Sequence, residues 1–290
     1  MDTTDDDGLP ANLLARVSAL LDADATDATE LDGGNVGTVY RITFADRAPV
    51  AAKVDDSPLG NEAAMLQYLA RETPVPVPAV LGVEPGLLLL EYVEGDGRFD
   101  ERAERDLARQ VAALHDRSAD AFGFPFDTLS GPFTQSNPWT DSWIEFFREQ
   151  RVLPFAEAAR ADGSLPEGPY ERVLEFADRL DDLLVEPDAP ALLHGDVHPG
   201  NVVVREGEVR AILDPAIFFG HAEFDLAYVD RIDAVGDPFF EEYQRHRAID
   251  DGFVETRRDA YAAFHELENV RFFGDRLLER LESALDRVGV

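Results

Sequence analysis

Strand-length apolar runs crowd into the first third of this chain and almost vanish from the rest. Thr38–Phe44, Pro49–Val54, Ala79–Val83 and Leu87–Val93 each have the length and the β-branched or aliphatic content of a strand. A helical spacing through Glu62, Leu66 and Leu69 separates the second run from the third, and the Pro74–Pro78 stretch ends it. Beyond Gly97 the pattern is mostly helical, interrupted by two short strands at Val202–Arg205 and Val209–Leu213. Strands first and helices afterwards imply an α+β fold. A small antiparallel sheet with one helix would stand in front, a larger helical part behind, and a cleft between them. The division is expected between residues 1–94 and 95–290, with a hinge at 91–94. Residues 1–30 are acidic and Ala-rich, and the spacing of Leu13, Leu14, Val17, Leu20 and Leu21 predicts one amphipathic helix there.

Charge excludes several function classes. The chain carries 59 acidic against 26 basic residues, a formal net charge of −33. Such a surface repels nucleic-acid phosphates, so a DNA or RNA binder is not expected. The carboxylates are spread along the whole chain, as in cytoplasmic proteins of salt-in halophiles, where hydrated acidic groups maintain solubility. No apolar run approaches the roughly 20 residues that span a bilayer. The acidic start, Met1–Asp7, has no signal-peptide pattern. A cytoplasmic protein without a membrane partner is expected. Cysteine is absent, which excludes disulfides, thiolate zinc sites and thiol nucleophiles.

The basic residues hold a sharper clue. Of the 26, all but one are arginine, and the exception is Lys53. A planar guanidinium cannot replace a compact ammonium where a point charge is required. Leu31–Phe44 reads as strand, glycine-rich turn Gly33-Gly34-Asn35-Val36-Gly37 and strand, and Lys53 follows Val50-Ala51-Ala52 on the next strand. Those glycines alone are compatible with an ordinary hairpin. They also suit a loop whose N–H groups approach phosphate oxygens. Lys53 occupies the slot of a kinase lysine that holds the α- and β-phosphates, and Glu62 on the next helix can pair with it.

A second constellation is His194-Gly195-Asp196-Val197-His198-Pro199-Gly200-Asn201, followed by Ile212-Leu213-Asp214-Pro215. Phosphoryl transfer needs a carboxylate for the proton of the attacking hydroxyl and oxygen ligands for Mg²⁺. Asp196 and Asn201 have the separation of the catalytic Asp and metal-binding Asn of a kinase loop, and Asp214 is the expected second metal ligand. His194 and His198 as zinc ligands is the alternative, but Gly195 and Pro199 argue against a helix and no third ligand is evident.

With these residues in view, the chain resembles the fructosamine kinase family, within the wider aminoglycoside-phosphotransferase-like kinases. The resemblance runs from about Leu31 to Phe272. Selective segments are Phe122-Gly123-Phe124, Gln135–Trp139, Trp143–Arg151, Asp214–Ala227 and the Tyr261–Phe273 tail. It implies a protein-kinase-like bilobal fold and ATP-dependent phosphorylation of a sugar hydroxyl of a ketoamine, free or on a glycated protein. It further implies Asp196 as catalytic base, Asn201 and Asp214 on Mg²⁺, Gly33, Gly34 and Lys53 on ATP phosphates with Glu62 as the lysine's partner, and Glu91–Val93 as the adenine-binding hinge. His198 stands where the family usually has tryptophan, which puts the acceptor in question. It keeps open a kinase for an aminoglycoside, choline or another amino alcohol. Trp143, His198 and His221 are the candidate substrate residues. For Trp143 and the other aromatics a core role is the alternative, and for His221, Glu223 and Asp225 the alternative is anchoring the loop. A nucleotide-binding module without turnover is disfavoured because Lys53, Asp196, Asn201 and Asp214 are all present.

Overall fold

Four consecutive leucines, Leu87–Leu90, are buried because their strand is covered on both faces. The computed structural model describes residues 9–31 and 37–290. In it this strand belongs to an antiparallel five-stranded sheet made of β1 (Ala25–Leu31), β2 (Thr38–Phe44), β3 (Val50–Val54), β4 (Val80–Glu84) and β5 (Leu87–Glu91). The spatial order is β1-β2-β3-β5-β4. Successive side chains of a strand point to opposite faces. Leu87 and Leu89 therefore join Ile42, Val50 and Ala52 beneath α1 (Leu9–Leu21), which contributes Leu13 and Val17. Leu88 and Leu90 face the other way, onto Leu59, Ala63 and Leu66 of α2 (Leu59–Glu72). The same alternation places Ala51 and Lys53 of β3 on the α2 side, with Lys53 in register with Val39 and Leu88.

The expectation of a single helix over residues 1–30 is corrected here. α1 ends at Leu21, Asp22 takes a left-handed φ of 49°, and β1 begins at Ala25. β1 is an edge strand with mostly exposed, polar side chains, so no apolar run announces it. Residues 1–8 lie outside the described residues.

Behind the sheet come α3 (Glu101–His115), the hairpin β6 (Thr128–Ser130) and β7 (Phe133–Gln135), and the helices α4 (Trp143–Phe147), α5 (Leu153–Ala161), α6 (Glu167–Asp178) and α7 (Leu180–Leu183). Next are β8 (Ala191–Leu193), the hairpin β9 (Val202–Arg205) and β10 (Glu208–Ile212), and β11 (Phe218–Gly220), which pairs with β8. The chain closes with α8 (Glu223–Asp230), α9 (Asp237–His246), α10 (Arg258–Phe273) and α11 (Leu278–Arg287). The helical part thus contains more than the two expected strands. β6, β7, β8 and β11 have three residues each, too few for a period of two to register.

One large apolar core runs from Met65 and Leu69 of α2 through the helices to Val288, so the front helix is rooted in the rear of the molecule. The connection after β5 is tied down as well. The Asp96 N–H donates to the Val204 carbonyl at 2.8 Å, and the Asp96 carboxylate accepts the Glu206 N–H at 2.7 Å. Gly95 is required there, because a Cβ would lie 2.9 Å from Val203. Among the described residues no helix is long and apolar enough to cross a membrane.

Candidate active site

The strand β8 delivers the chain into the loop His194–Asn201, and a buried carboxylate holds that loop in shape. Asp225, in the first turn of α8, accepts the His194 N–H at 2.7 Å and the Gly195 N–H at 2.9 Å. It also accepts from His115 Nε2 at 3.1 Å, while His115 Nδ1 takes the Tyr243 hydroxyl at 2.8 Å. Burial pushes the Asp225 pKa up, but His115 and the loop N–H groups outweigh that and hold it below the usual carboxylate value. Gly195 has φ +82°, and a Cβ would stand 2.6 Å from the Ala216 carbonyl oxygen, so only glycine fits. Of the roles open to Asp225, the structure shows loop anchoring.

Inside the loop, Asn201 Nδ2 donates to the Asp196 carbonyl at 3.1 Å and to Asp196 Oδ2 at 2.9 Å. His198 Nδ1 accepts the Gly200 N–H at 3.0 Å, which leaves the proton on Nε2, 3.7 Å from Asp196 Oδ1. His194 is fully buried behind the loop. Its Nδ1 accepts the Asp196 N–H at 3.3 Å, and burial pushes its pKa down, so it stays neutral. Leu213 N–H donates to Asn201 O, and Ala216 N–H to His194 O, both at 2.8 Å. These two bonds clamp Asp214, in a left-handed backbone at φ 49°, beside the loop.

Lys53 reaches this place from the opposite side. Its Nζ lies 2.8 Å from Glu62 Oε2 and 2.6 Å from Asp214 Oδ1. Burial pushes its pKa down, and the two carboxylates more than reverse that, so the ammonium charge is secured. The ammonium thus ties the sheet, α2 and the segment after β10 together across the cleft.

Three cavities adjoin here. The first is apolar, walled by Leu31, Val39, Ala51, Leu66, Val203 and Leu213, with Glu91, Tyr92 and Val93 along one side. The second shares Val39, Lys53, Glu62 and Asp214 with it and adds Asp196, Asn201, Ser57 and the hairpin tip Ser130-Gly131. The third shares Asp196, His198, Ser130 and Gly131 with the second and opens toward Tyr228, His265 and Phe272. Lys53, Glu62, Glu91, Val93, Asp196, His198, Asn201 and Asp214 therefore all lie along one connected cleft. Gly33 and Gly34 lie outside the described residues. Gly37, from the same turn, has φ +71°, and a Cβ would meet the Val54 carbonyl at 2.7 Å.

Two expected substrate residues are not in the cleft. Trp143 is wholly buried, packed against Phe146, Phe147 and Phe218, and its Nε1 donates to the Tyr261 hydroxyl at 2.8 Å. His221 accepts from that same hydroxyl at 2.8 Å through Nδ1, and burial aided by Arg257 pushes its pKa down to about 3. Glu223 accepts from Nε and Nη2 of Arg257, each at 2.6 Å. A tryptophan beside a pocket and one in a core share the same neighbours in sequence, and aromatic packing decided this one. Conversely, Tyr228 and Ser130 line the third cavity although nothing local in the sequence marks them, and His265, within the Tyr261–Phe273 tail, joins them there. Only the distant segments packed around them bring them in.

The donor set suits a hard divalent cation. With its Nδ2 committed to Asp196, Asn201 offers Oδ1, and Asp214 has a half-exposed carboxylate. Among the described residues no cluster of three or more His, Asp or Glu could form a dedicated cage. Two oxygen ligands completed by water and phosphate oxygens is the Mg²⁺ pattern.

Similarity to known proteins agrees with this geometry. Residues 13–289 match the model of the fructosamine kinase family. The chloroplastic protein-ribulosamine 3-kinase of Arabidopsis thaliana is 29% identical over 243 residues, covering 81% of this chain and 72% of the relative. The ketosamine-3-kinase of Mus musculus is 30% identical over 234 residues, covering 79% and 73%. A Thermobifida fusca crystal structure, provisionally designated a fructosamine-3-kinase, superposes with a TM-score of 0.84 at 29% identity, covering 95% of this chain and 98% of that one. Fold alone is shared with the aminoglycoside phosphotransferase APH(4)-Ia in complex with ADP and hygromycin B, at a TM-score of 0.66 and 14% identity over 96% and 99% of the two chains. Its α+β architecture is thus the kinase-like one, and by its sequence from residue 13 to residue 289 the chain belongs to the fructosamine kinase family.

Proposed function

We propose that the protein transfers the γ-phosphoryl group of ATP to a sugar hydroxyl of a ketoamine, of the fructosamine or ribulosamine type, and so acts in deglycation. The observation that carries this reading is the linear series of three cavities, apolar, charged and polar, joined by Lys53 and Asp214 at one junction and Asp196 at the other. Adenine suits the first, against Glu91–Val93. The phosphates suit the second, beside the Lys53 ammonium. The acceptor suits the third. In this reading residues 1–94 hold the nucleotide and residues 95–290 supply the catalytic loop and the acceptor pocket.

Asp196 would accept the proton of the attacking hydroxyl, a role supported by the Asn201 amide that holds its carboxylate. Glu62 holds the Lys53 ammonium against the phosphates. Asn201 Oδ1 and Asp214 would hold Mg²⁺, which when bound neutralises phosphate charge. The acceptor is a free small molecule or a ketoamine on a glycated protein, and the acidic composition suits a salt-rich cytoplasm.

His198 in the acceptor cavity favours a second reading, a kinase for an aminoglycoside, choline or another amino alcohol. ADP release from Mg-ATP in high KCl, with ribulosyl-lysine, fructosyl-lysine, choline and kanamycin as acceptors, separates the two. Acceleration by a ketoamine is expected, and Asp196→Asn should lower kcat by about 100- to 10,000-fold. Turnover only with choline or kanamycin would replace the ketoamine reading with the second one.

A further inference from the structure

The third cavity contains a carboxylate that the phosphoryl chemistry does not use. Glu268, on α10, lines it together with Asp196. Its side chain is 12% exposed. Oε1 accepts the Ser130 hydroxyl at 3.1 Å, and Oε2 lies 3.0 Å from His265 Nδ1. His265 Nε2 faces the Phe224 carbonyl at 3.2 Å, which can only accept, so that nitrogen carries a proton. The remaining contact between Nδ1 and Glu268 then holds one further proton. A carboxylate has about four acceptor positions, so one on each oxygen is left for a ligand.

The wall from this group to the catalytic loop is continuous. The Tyr228 ring stands 4.8 Å from the His265 ring and 6.3 Å from the His198 ring, and His198 Nε2 is 3.7 Å from Asp196 Oδ1. Phe272 and Phe273 complete the far side, and Phe273 is 41% exposed at the rim. Neither lysine nor arginine is among the residues lining the cavity. An acceptor that carries both a protonated amine and a reacting hydroxyl finds a carboxylate for each in this cavity. Its hydroxyl would lie at Asp196, its ammonium would donate to Glu268, and the substituent on nitrogen would leave past Phe273.

We infer that Glu268 is the specificity-determining residue of the acceptor pocket, accepting the N–H of the substrate's cationic amine and so separating aminated ketoses from neutral ones. The inference rests on the ketoamine reading above. Glutamine at this position keeps the shape, an oxygen for Ser130 and a donor for His265, and removes the carboxylate together with the proton it shares with His265. That makes Glu268→Gln a test in which folding is not at stake, and its melting temperature serves as the check.

The experiment compares ribulosyl-lysine with ribulose, which has a hydroxyl in place of the amine, in wild type and Glu268→Gln with saturating Mg-ATP. In the variant, KM for ribulosyl-lysine should rise at least tenfold. The kcat, the KM for ATP and the kcat/KM for ribulose should change less than twofold. The preference for the amine would then collapse. An unchanged preference in a variant that melts with wild type would overturn the role of Glu268 while leaving ketoamine phosphorylation in place. Absence of any wild-type turnover with ribulosyl-lysine and fructosyl-lysine would instead overturn the ketoamine reading, and the role of Glu268 with it.

Discussion

Lys53 and Asp214, separated by 161 positions in sequence, meet at 2.6 Å across the cleft. The ammonium also pairs with Glu62 at 2.8 Å, so a single cation links the front sheet, α2 and the segment that ends β10. Phosphate oxygens would compete with Asp214 for it. Lys53→Arg is the informative change, because the rest of this chain uses arginine for its basic residues. A fork-shaped guanidinium cannot take the place of a point charge between two carboxylates. The expected outcome is a loss of about 100-fold or more in kcat/KM for ATP, with far-UV circular dichroism unchanged. Retention of activity within a few-fold would show that any cation suffices.

Asp225 anchors the loop His194–Asn201 through two backbone N–H groups and is held in turn by His115. Asp225→Asn would turn an amide donor toward groups that are themselves donors, inside a fully buried site. Removing one partner of a buried charged network is expected to destabilise the fold by about 3 kcal/mol. Urea unfolding measures this directly, and a difference below about 1 kcal/mol would show that the loop holds its shape without the carboxylate charge.

His221 makes stability depend on pH. Burial and the positive charge of Arg257 push its pKa down to about 3 in the fold, against about 6.5 when unfolded. The unfolded chain therefore binds the proton first. The contribution of the neutral imidazole is fully present above about pH 6.5 and fades as pH falls, by up to about 1.4 kcal/mol per unit. Between pH 7 and pH 5.5, wild type should lose about 1.3 kcal/mol more than His221→Gln. Parallel curves for the two proteins would assign the acid sensitivity to other groups.

A formal charge of −33 on 290 residues sets a strong dependence on salt. Cations shorten the range of repulsion from about 10 Å at 0.1 M to about 3 Å at 1 M. The melting temperature should climb steadily between 0.1 and 2 M KCl, and dialysis to low salt should abolish the native far-UV spectrum. A spectrum that stays native-like in low salt would contradict this.

Much of the front sheet was legible because its signal is local. Leu87–Leu90 read as a strand from four adjacent residues, and the reason all four are apolar is that α1 and α2 cover opposite faces. Most of β1 was not legible, since an exposed polar edge strand has no apolar period; Ala25–Glu30 were assigned to the preceding helix, and only Leu31, ahead of the glycine-rich turn, to a strand. The loop His194–Asn201 was legible because its chemistry depends on residue types at fixed short spacing, and the hydrogen bonds from Asn201 to Asp196 span only five positions.

The sequence by itself determined the strands β2 to β5 of the front sheet, the composition of the loop His194–Asn201 and the single lysine that could serve as an ammonium. Tertiary structure decided which distant side chains share a cavity and which are sealed away. Trp143 and His221 went into the core around Tyr261, while Ser130, Tyr228, His265 and Glu268 came together from three separate segments. Spacing along a strand, helix or loop follows from backbone geometry within a few residues. Burial of a particular side chain follows from the packing of several elements at once, and no short stretch of sequence contains that information.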